Sequence, residues 1–272
     1  MSLKLHRYLR RIRYGGPLSP TRTTLHNLHR AHLLAIPFEN IDVQLGLVPP
    51  IEHDAIFEKI VLRERGGWCF EHNLLFAWVL RQIGLRVDVI GATVGRTKPV
   101  EGTPINHVAL FVHLDEPYLA DVGFGNGFLN PTPLQEGTFN DGRFDFKLTN
   151  HGKFWRFYNH RENGATYDFS GDNAGAETIE AANRSLATTS ESPFVQTLVC
   201  AQLREDGMVT LTNAALRIFS PKQMNEESAS SHESFTRILR EYFALKIDRS
   251  EALWTRVADQ HKRWLRKKIR GF

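Results

Sequence analysis

Residues 65–73, RGGWCFEHN, place one of the chain's two cysteines just after a pair of glycines and an aromatic residue. An apolar run, LLFAWVL, follows. Glycines permit a tight turn with unusual backbone angles, and the apolar run predicts a buried central helix from about Cys69 to about Ile83, ended by Gly84. The free N–H groups of a helix start favour a thiolate, and the arginine that opens the stretch adds positive charge. The stretch therefore predicts that Cys69 is a reactive nucleophile, with an inert buried cysteine as the alternative.

The composition of the 272-residue chain is that of a globular protein. Apolar residues make up 42% and charged residues 24%, which excludes a disordered chain. No apolar run approaches the roughly 20 residues of a membrane helix, and residues 1–16 lack the features of a secretory signal. Two cysteines in a chain of this length suit a reducing cytoplasm. The net charge of +4 favours an anionic partner, but no signature of nucleic-acid binding is present. We therefore expect a cytoplasmic protein without a membrane or nucleic-acid partner.

The predicted elements change in character twice along the chain. Residues 1–84 are predicted to be helical, and residues 85–192 to form β-strands that curl into a barrel. Residues 193–272 are predicted to form a hairpin followed by two helices. The sequence therefore predicts an α+β fold: an N-terminal helical bundle that carries Cys69, a central β-barrel, and a mixed α/β segment at the end.

Two further helices are expected before the Cys69 helix. The first has Ser19 as a possible N-cap and Pro20 at its first position, and Pro37 ends it. The second covers roughly residues 54–65. Together these helices complete the predicted N-terminal bundle.

A thiolate nucleophile usually requires a histidine, and the chain has twelve. His26, His29 and His32 share one predicted helix at three-residue spacing, which favours an exposed polar stripe over a metal-binding face. His107 differs, because it opens an apolar strand and has an acidic neighbour in the next predicted strand. That neighbour is Asp121, and a carboxylate in an apolar strand is costly to bury without a partner.

The strands of His107 and Asp121 form a predicted hairpin whose register the sequence leaves open. With the turn centred at Asp115, Asp121 lies opposite Ala109 and on the same face as His107, within side-chain reach. A shift of one residue would place the two side chains on opposite faces. In the first register Asp121 would orient the imidazole and stabilise its protonated form, as in a nucleophile–base–acid triad.

Several of these segments together resemble one known family, the arylamine N-acetyltransferases. RGGWCFEHN, PFEN at residues 37–40, the His107 strand and DVGFG at residues 121–125 agree with that family in order and spacing across essentially the whole chain. SPFVQTLVC and the hairpin after it resemble the family's third region. The sequence departs from the common pattern at Trp68, where Tyr is frequent, and at His72, where Gln or Leu is frequent. The change at His72 leaves substrate preference open.

The resemblance implies a cysteine-protease-like (papain/transglutaminase-like) core, with the C-terminal α/β segment as a lid. It implies a catalytic triad of Cys69, His107 and Asp121, acetyl-CoA as the donor, and an arylamine or arylhydrazine as the acceptor. Transfer would follow a ping-pong mechanism through an acetyl-Cys69 intermediate. We expect a monomer or a homodimer.

An aromatic acceptor requires an apolar pocket lined by aromatic side chains. Phe38, Phe70, Phe124 and Gly125 lie in or beside the family motifs and are the expected substrate-binding residues. For Phe70 a place in the core is an equal alternative. The sequence assigns no residue to the phosphates of coenzyme A.

Other chemistries remain open on the residues alone. A cysteine hydrolase or transglutaminase-like enzyme would use the same triad, and a family-related amide synthase of secondary metabolism would share the whole pattern. Cys69, His72, His107 and Asp121 also offer four ligands to zinc, but zinc would occupy the nucleophile, so we expect no metal. An intact triad argues against a non-catalytic binding module.

Overall fold

The computed structural model describes residues 2–160, 165–220 and 223–270, with side chains as far as residue 266. The helices are α1 (Leu3–Arg11), α2 (Arg22–Ala35), α3 (Ile41–Gln44), α4 (His53–Phe57), α5 (Cys69–Gln82), α6 (Ala176–Thr188), α7 (Pro193–Gln196), α8 (His232–Phe243) and α9 (Ser250–Arg270). The strands are β1 (Phe38–Glu39), β2 (Arg86–Val94), β3 (His107–His113), β4 (Pro117–Ala120), β5 (Thr132–Pro133), β6 (Gly137–Asn140), β7 (Asp145–His151), β8 (Phe154–Tyr158), β9 (Tyr167–Asn173), β10 (Val199–Arg204), β11 (Gly207–Thr212), β12 (Ala215–Phe219) and β13 (Met224–Ser228). Within these ranges, no helix combines the length and the apolar character needed to cross a membrane.

Helix α2 begins two residues later than the sequence predicts. Its N-cap is Thr21, whose hydroxyl accepts a hydrogen bond from the N–H of Thr24. The predicted cap, Ser19, and Pro20 therefore lie before the helix, and a second hydroxyl residue nearby accounts for the wrong choice. The predicted end is confirmed, since α2 stops two residues before Pro37, which has no N–H to continue it.

Helix α5 is the predicted central helix. It begins at Cys69 with Trp68 as its N-cap, and it ends next to Gly84, whose φ is 91°. Most of its side chains are buried, and it packs against β2 and β3. The nucleophile candidate therefore sits at the start of a mostly buried helix that packs against two strands of the barrel.

The helix predicted over residues 54–65 is shorter and irregular. Helix α4 ends at Phe57, and the chain continues as a π-helical turn, Glu58–Leu62. This wider turn contains the buried Lys59, whose Nζ forms ion pairs at 2.7 Å with Asp42 and at 2.9 Å with Glu71 of α5. An extra residue in one turn does not visibly change the helical period of the apolar residues, so the sequence did not predict the π-helical turn.

Eight strands form one antiparallel sheet in the order β5-β4-β3-β2-β9-β8-β7-β6, a nearly closed barrel as predicted. In the β3–β4 hairpin Leu110 pairs with Ala120 and His113 with Pro117. This is the register with the turn centred at Asp115, one of the two that the sequence leaves open. Asp121 lies one residue past the end of β4, rather than inside the strand.

A second antiparallel sheet has the order β1-β10-β11-β12-β13. It includes the predicted hairpin of β10 and β11, and α8 and α9 cover a small apolar core of its own. Strand β1 belongs to the PFEN segment, and Phe38 pairs with Ala201 of β10. The helical part of the chain is thus joined directly to the C-terminal sheet.

Candidate active site

Cys69 and His107 line one cavity of about 420 Å³ between the barrel and the C-terminal sheet. The remaining walls are mostly apolar or aromatic. The other residues that line it include Phe38, Phe124, Gly125, Leu186, Phe194 and Val199. The two candidates for nucleophile and base therefore share one largely apolar cavity.

His107 and Asp121 form the pair that the sequence predicts. Nε2 of His107 lies 2.7 Å from Oδ2 of Asp121, and both side chains are buried. Because Nε2 is engaged with the carboxylate, Nδ1 is the ring nitrogen left to exchange a proton with Cys69. The arrangement is that of an imidazole oriented by an acid and available as a base to a thiol.

Asn73 ties Asp121 to the helix of the nucleophile. Its Nδ2 donates to Oδ1 of Asp121 at 2.9 Å and to the carbonyl of Val108 at 2.7 Å, and its Oδ1 accepts from the N–H of Val122 at 3.0 Å. One side chain, a turn after Cys69 on α5, thus holds β3 and the segment that follows β4. Asn73 was not among the predicted site residues, although a polar side chain on an otherwise buried helix face was the available signal.

The carboxylate of Asp121 is held in its charged form. Burial alone would raise its pKa, but the imidazole of His107 and hydrogen bonds from Asn73 and the N–H of Gly123 hold the pKa below the ordinary value. A charged carboxylate can only accept, so it fixes the hydrogen of His107 on Nε2.

The thiol of Cys69 is not acidic by itself. Burial raises its pKa above the ordinary value, and the carboxylate of Asp121 raises it further. The backbone N–H groups of Cys69 and Phe70 lower the pKa of the thiol, but they do not outweigh burial. The helix start thus favours a thiolate, as the sequence predicts, while burial opposes it, so the thiol needs a base to accept its proton.

Phe124 and Phe38 form aromatic walls of the cavity, as the sequence predicts. The ring of Phe124 meets the His107 imidazole edge-on at 5.1 Å. Phe194 is a further wall that was not singled out, and its backbone carbonyl accepts a hydrogen bond from Nδ2 of Asn40 in the PFEN segment at 2.8 Å. Phe70, by contrast, is fully buried against Trp68 at 5.5 Å and is not among the lining residues.

Comparison with known proteins identifies the family of the chain. Residues 21–252 match the family model described as N-acetyltransferase. The chain belongs to the arylamine N-acetyltransferase family. It is 32% identical over 256 residues to the arylamine N-acetyltransferase / N-hydroxyarylamine O-acetyltransferase of Salmonella typhimurium, over 91% of each chain. The solved arylamine N-acetyltransferase of Salmonella typhimurium superposes with a TM-score of 0.87, at 29% identity, over 95% of this chain and 99% of that one. The Mycobacterium marinum arylamine N-acetyltransferase in complex with CoA gives 0.85 at 28% identity, over 93% and 98%.

The DVGFG motif of the family brings the barrel close to α5. A Cβ at Gly123 would lie 2.7 Å from both Cα and the carbonyl oxygen of Cys69 and 2.6 Å from Nδ2 of Asn73. Real Cβ atoms do not approach so closely, so only glycine fits there. The motif is therefore required for the contact that places Asp121 beside the nucleophile helix.

His29 is a second residue that holds Asp121, and its predicted exposure is wrong. It is fully buried. Nδ1 donates to the carbonyl of Leu129 at 2.8 Å, so Nε2 accepts from the backbone N–H of Asp121 at 3.1 Å. Burial lowers the pKa of His29 to about 4. His32 is also fully buried, and only His26 of the predicted stripe is partly exposed.

The charge of Arg65 is not available to Cys69 as the sequence suggests. Its guanidinium pairs with Glu39 at 2.7 Å and Asp42 at 3.0 Å. The adjoining Glu71, which pairs with Lys59, accepts the N–H of Trp68 at 3.1 Å and so caps α5. This ion network therefore shapes the start of the helix rather than supplying free positive charge.

The arrangement does not bring together the four ligands of the alternative zinc site. Both ring nitrogens of His72 are hydrogen-bonded, one to His32 and one to the carbonyl of Pro37. In the part of the chain that the structure describes, no group of three or more His, Cys, Asp or Glu side chains is placed to hold a metal ion.

Proposed function

We propose that this protein is an acetyl-CoA-dependent arylamine N-acetyltransferase that works through a triad of Cys69, His107 and Asp121. The observation that carries the proposal is the buried 2.7 Å pair of His107 and Asp121 on the cavity that Cys69 also lines. The family supports the reaction class, and the complex of the Mycobacterium marinum relative with CoA supports the donor.

In the first half-reaction the proton of Cys69 passes to Nδ1 of His107, and Asp121 stabilises the resulting imidazolium. The thiolate attacks the carbonyl carbon of acetyl-CoA and forms a new C–S bond. The N–H groups of Cys69 and Phe70 at the start of α5 lie where they can stabilise the oxyanion. The bond to coenzyme A then breaks, and coenzyme A leaves as a thiol with the proton from His107.

In the second half-reaction the amine nitrogen attacks the carbonyl carbon of acetyl-Cys69. His107 accepts the proton that the nitrogen loses, and Cys69 leaves. The amide is released and the triad returns to its starting state. A single base thus serves both halves of a ping-pong mechanism.

The cavity suits a flat aromatic acceptor. Phe38, Phe124 and Phe194 supply aromatic walls, and Gly125 lies directly against the ring of Phe38. We assign these four residues to acceptor binding and give Phe70 a core role. Arylamines, which the names of the relatives mention, and arylhydrazines are the proposed substrates.

Intact-mass spectrometry tests this proposal directly. The protein mixed with acetyl-CoA should gain the mass of one acetyl group, and arylamines or arylhydrazines should remove it as the amide. Cys69→Ala should abolish the gain, whereas Cys200→Ala should retain it, because Cys200 is buried in β10. Absence of acetylation in the folded wild type, or release to water faster than to any amine, would contradict the transferase assignment.

A further inference from the structure

A chain of buried hydrogen bonds runs from the first helix to the wall of the active-site cavity. The hydroxyl of Tyr8 lies 2.7 Å from Nδ1 of His32. Nε2 of His32 lies 2.7 Å from Nδ1 of His72, and Nε2 of His72 lies 3.2 Å from the carbonyl oxygen of Pro37. Tyr8, His32 and His72 are at most 1% exposed. The chain therefore links α1, α2 and α5 to the segment that begins β1.

The hydrogen bonds of this chain have a single direction, because a carbonyl oxygen can only accept. Nε2 of His72 must carry a hydrogen, so its Nδ1 accepts from Nε2 of a neutral His32. Nδ1 of His32 then accepts from the hydroxyl of Tyr8. Burial lowers the pKa of His72 to about 4 and also lowers that of His32, so both rings are neutral at neutral pH. In this arrangement every ring nitrogen has a partner.

The carbonyl of Pro37 lies where the cavity wall meets the turn before Cys69. It also accepts from the N–H of Gly67 at 3.3 Å, and the N–H of Glu39 donates to the carbonyl of Gly67 at 2.7 Å. A Cβ at Gly66 would lie only 2.2 Å from the Pro37 oxygen. The paired glycines are therefore needed for close approach. They do not adopt the unusual backbone angles that the sequence suggests, since neither has a positive φ.

His72 contacts the cavity wall from behind. Phe38 follows Pro37 and lines the cavity, and its ring lies parallel to the His72 imidazole, at 5° and 6.5 Å between centroids. This separation is within the range of stacked aromatic pairs. His72 thus holds the wall twice, through its N–H at Pro37 and through its ring face at Phe38, while lying one turn after Cys69 on α5.

We propose that His72 is a positioning residue for the amine half-reaction. Through the ordered chain from Tyr8 and His32 it holds Pro37, and with it Phe38, in the place where the aromatic acceptor packs. The inference rests on the proposed function for the identity of the acceptor. It predicts that loss of this chain of hydrogen bonds weakens acceptor binding and slows transfer to the amine, while attack of Cys69 on acetyl-CoA is largely retained.

Four variants test this role. His72→Leu fills much of the space but removes both hydrogen bonds, whereas His72→Gln keeps one acceptor and one donor at the end of the side chain. Tyr8→Phe removes the outermost donor, at a residue remote from the cavity. Val257→Ala, in the separate core under α9, is the control for a general loss of stability.

Three measurements are made on each variant. Calorimetric titration with acetanilide, without acetyl-CoA, reports the acceptor site independently of chemistry. Rapid-quench mass spectrometry separates the rate of acetyl-enzyme formation from the rate of its loss to aniline. Thermal denaturation ranks the stability of the variants.

We expect His72→Leu to weaken acetanilide binding and to slow the amine half-reaction, each by about fivefold or more, with acetyl-enzyme formation changed less than about twofold. Tyr8→Phe should act in the same direction and less, while His72→Gln and Val257→Ala should stay near wild type. Equal loss in both half-reactions, unchanged acetanilide affinity, or a His72→Gln as impaired as His72→Leu would overturn the inference. A wild type that binds acetanilide but forms no acetyl-enzyme would contradict the proposed function, and the binding comparison would still decide the role of His72.

Discussion

If Asp121 is replaced by asparagine, the surrounding hydrogen bonds determine how the new amide is oriented towards His107. Oδ1 of Asp121 accepts from Nδ2 of Asn73 and from the N–H of Gly123, both at 2.9 Å. Two donors require an oxygen at that position, so the new NH2 group takes the place of Oδ2, 2.7 Å from Nε2 of His107. An amide NH2 only donates. His107 must then carry its hydrogen on Nδ1, where it can no longer accept the proton of Cys69.

Two effects contribute to the expected loss of rate in Asp121→Asn: the lost electrostatic attraction and the wrong tautomer of His107. Opposite charges about 4 Å apart attract by about 4 kcal/mol at an effective dielectric constant of about 20. Loss of that attraction to the imidazolium corresponds to roughly 10³-fold in rate. The corresponding substitution in a serine-protease triad, which also produces the wrong tautomer, costs about 10⁴-fold. We therefore expect Asp121→Asn to slow acetyl-enzyme formation by roughly 10³- to 10⁴-fold.

The pH dependence of Cys69 alkylation by iodoacetamide separates two possible roles of Asp121. The carboxylate raises the pKa of the thiol directly, so its removal alone would speed alkylation at neutral pH. If Asp121 acts through His107, its removal has the opposite effect, because the thiolate loses its imidazolium partner. We expect wild-type alkylation to persist well below pH 7, and that of Asp121→Asn to require a pH near the free-thiol pKa of about 8.5.

The alkylation assay is made in a Cys200→Ala background, so that Cys69 is the only thiol. Circular dichroism checks the fold. Asp168→Asn, which breaks the buried pair with Arg156 at 2.6 Å, is the matched control for loss of a buried carboxylate. Equal or faster alkylation of folded Asp121→Asn at neutral pH would refute the role of Asp121 in the triad.

Three further outcomes are expected. Asn73→Ala should lower the free energy of unfolding by about 1–3 kcal/mol, because it removes three buried hydrogen bonds and leaves the N–H of Val122 without its side-chain partner. It should also slow acetyl transfer. A urea midpoint equal to wild type would contradict this. The free energy of unfolding should fall by about 3 kcal/mol for each ring as pH decreases from about 6.5 towards 4. Burial lowers the pKa of His29 and His72 to about 4 in the folded protein, so the unfolded chain binds these protons first. Denaturation midpoints that do not change over this pH range would contradict this. Elemental analysis should find no stoichiometric zinc, since the ring nitrogens of His72 are both hydrogen-bonded; about one zinc per chain, lost in Cys69→Ala, would favour the metal site instead.

Local patterns predict the elements that carry the three residues of the proposed triad, because the signals for these elements lie within a few residues. Glycines, an apolar run and Gly84 are enough to place α5, and alternation with a turn at Asp115 is enough to propose the β3–β4 hairpin. Helix boundaries are harder to predict, because several nearby residues can serve as the cap. The N-cap of α2 is Thr21 and not the predicted Ser19. The π-helical turn contains the buried ion pairs of Lys59, whose partners a local sequence pattern does not indicate.

Buried polar residues are the part of the site that the sequence could not reveal. The partners of these side chains lie far away in the chain: His32 meets His72 across 40 residues, and His29 meets Leu129 across 100. A polar residue on an amphipathic helix predicts exposure unless a partner is known. Sequence alone therefore treats His29 and His32 as surface, although both lie in the core, His29 against the backbone of Asp121 and His32 against His72.

The length of the β3–β4 turn is itself a requirement of the active site. Because Leu110 pairs with Ala120, Asp121 follows in line on the face of His107, and a slip of one residue would turn it to the opposite face. The turn alone does not prevent such a slip, since a strand end can absorb one residue as a bulge. Two hydrogen bonds to Asp121, one from Asn73 on α5 and one from the DVGFG backbone, oppose this slip. The polar residues that the sequence does not reveal are thus the ones that keep His107 and Asp121 within 2.7 Å.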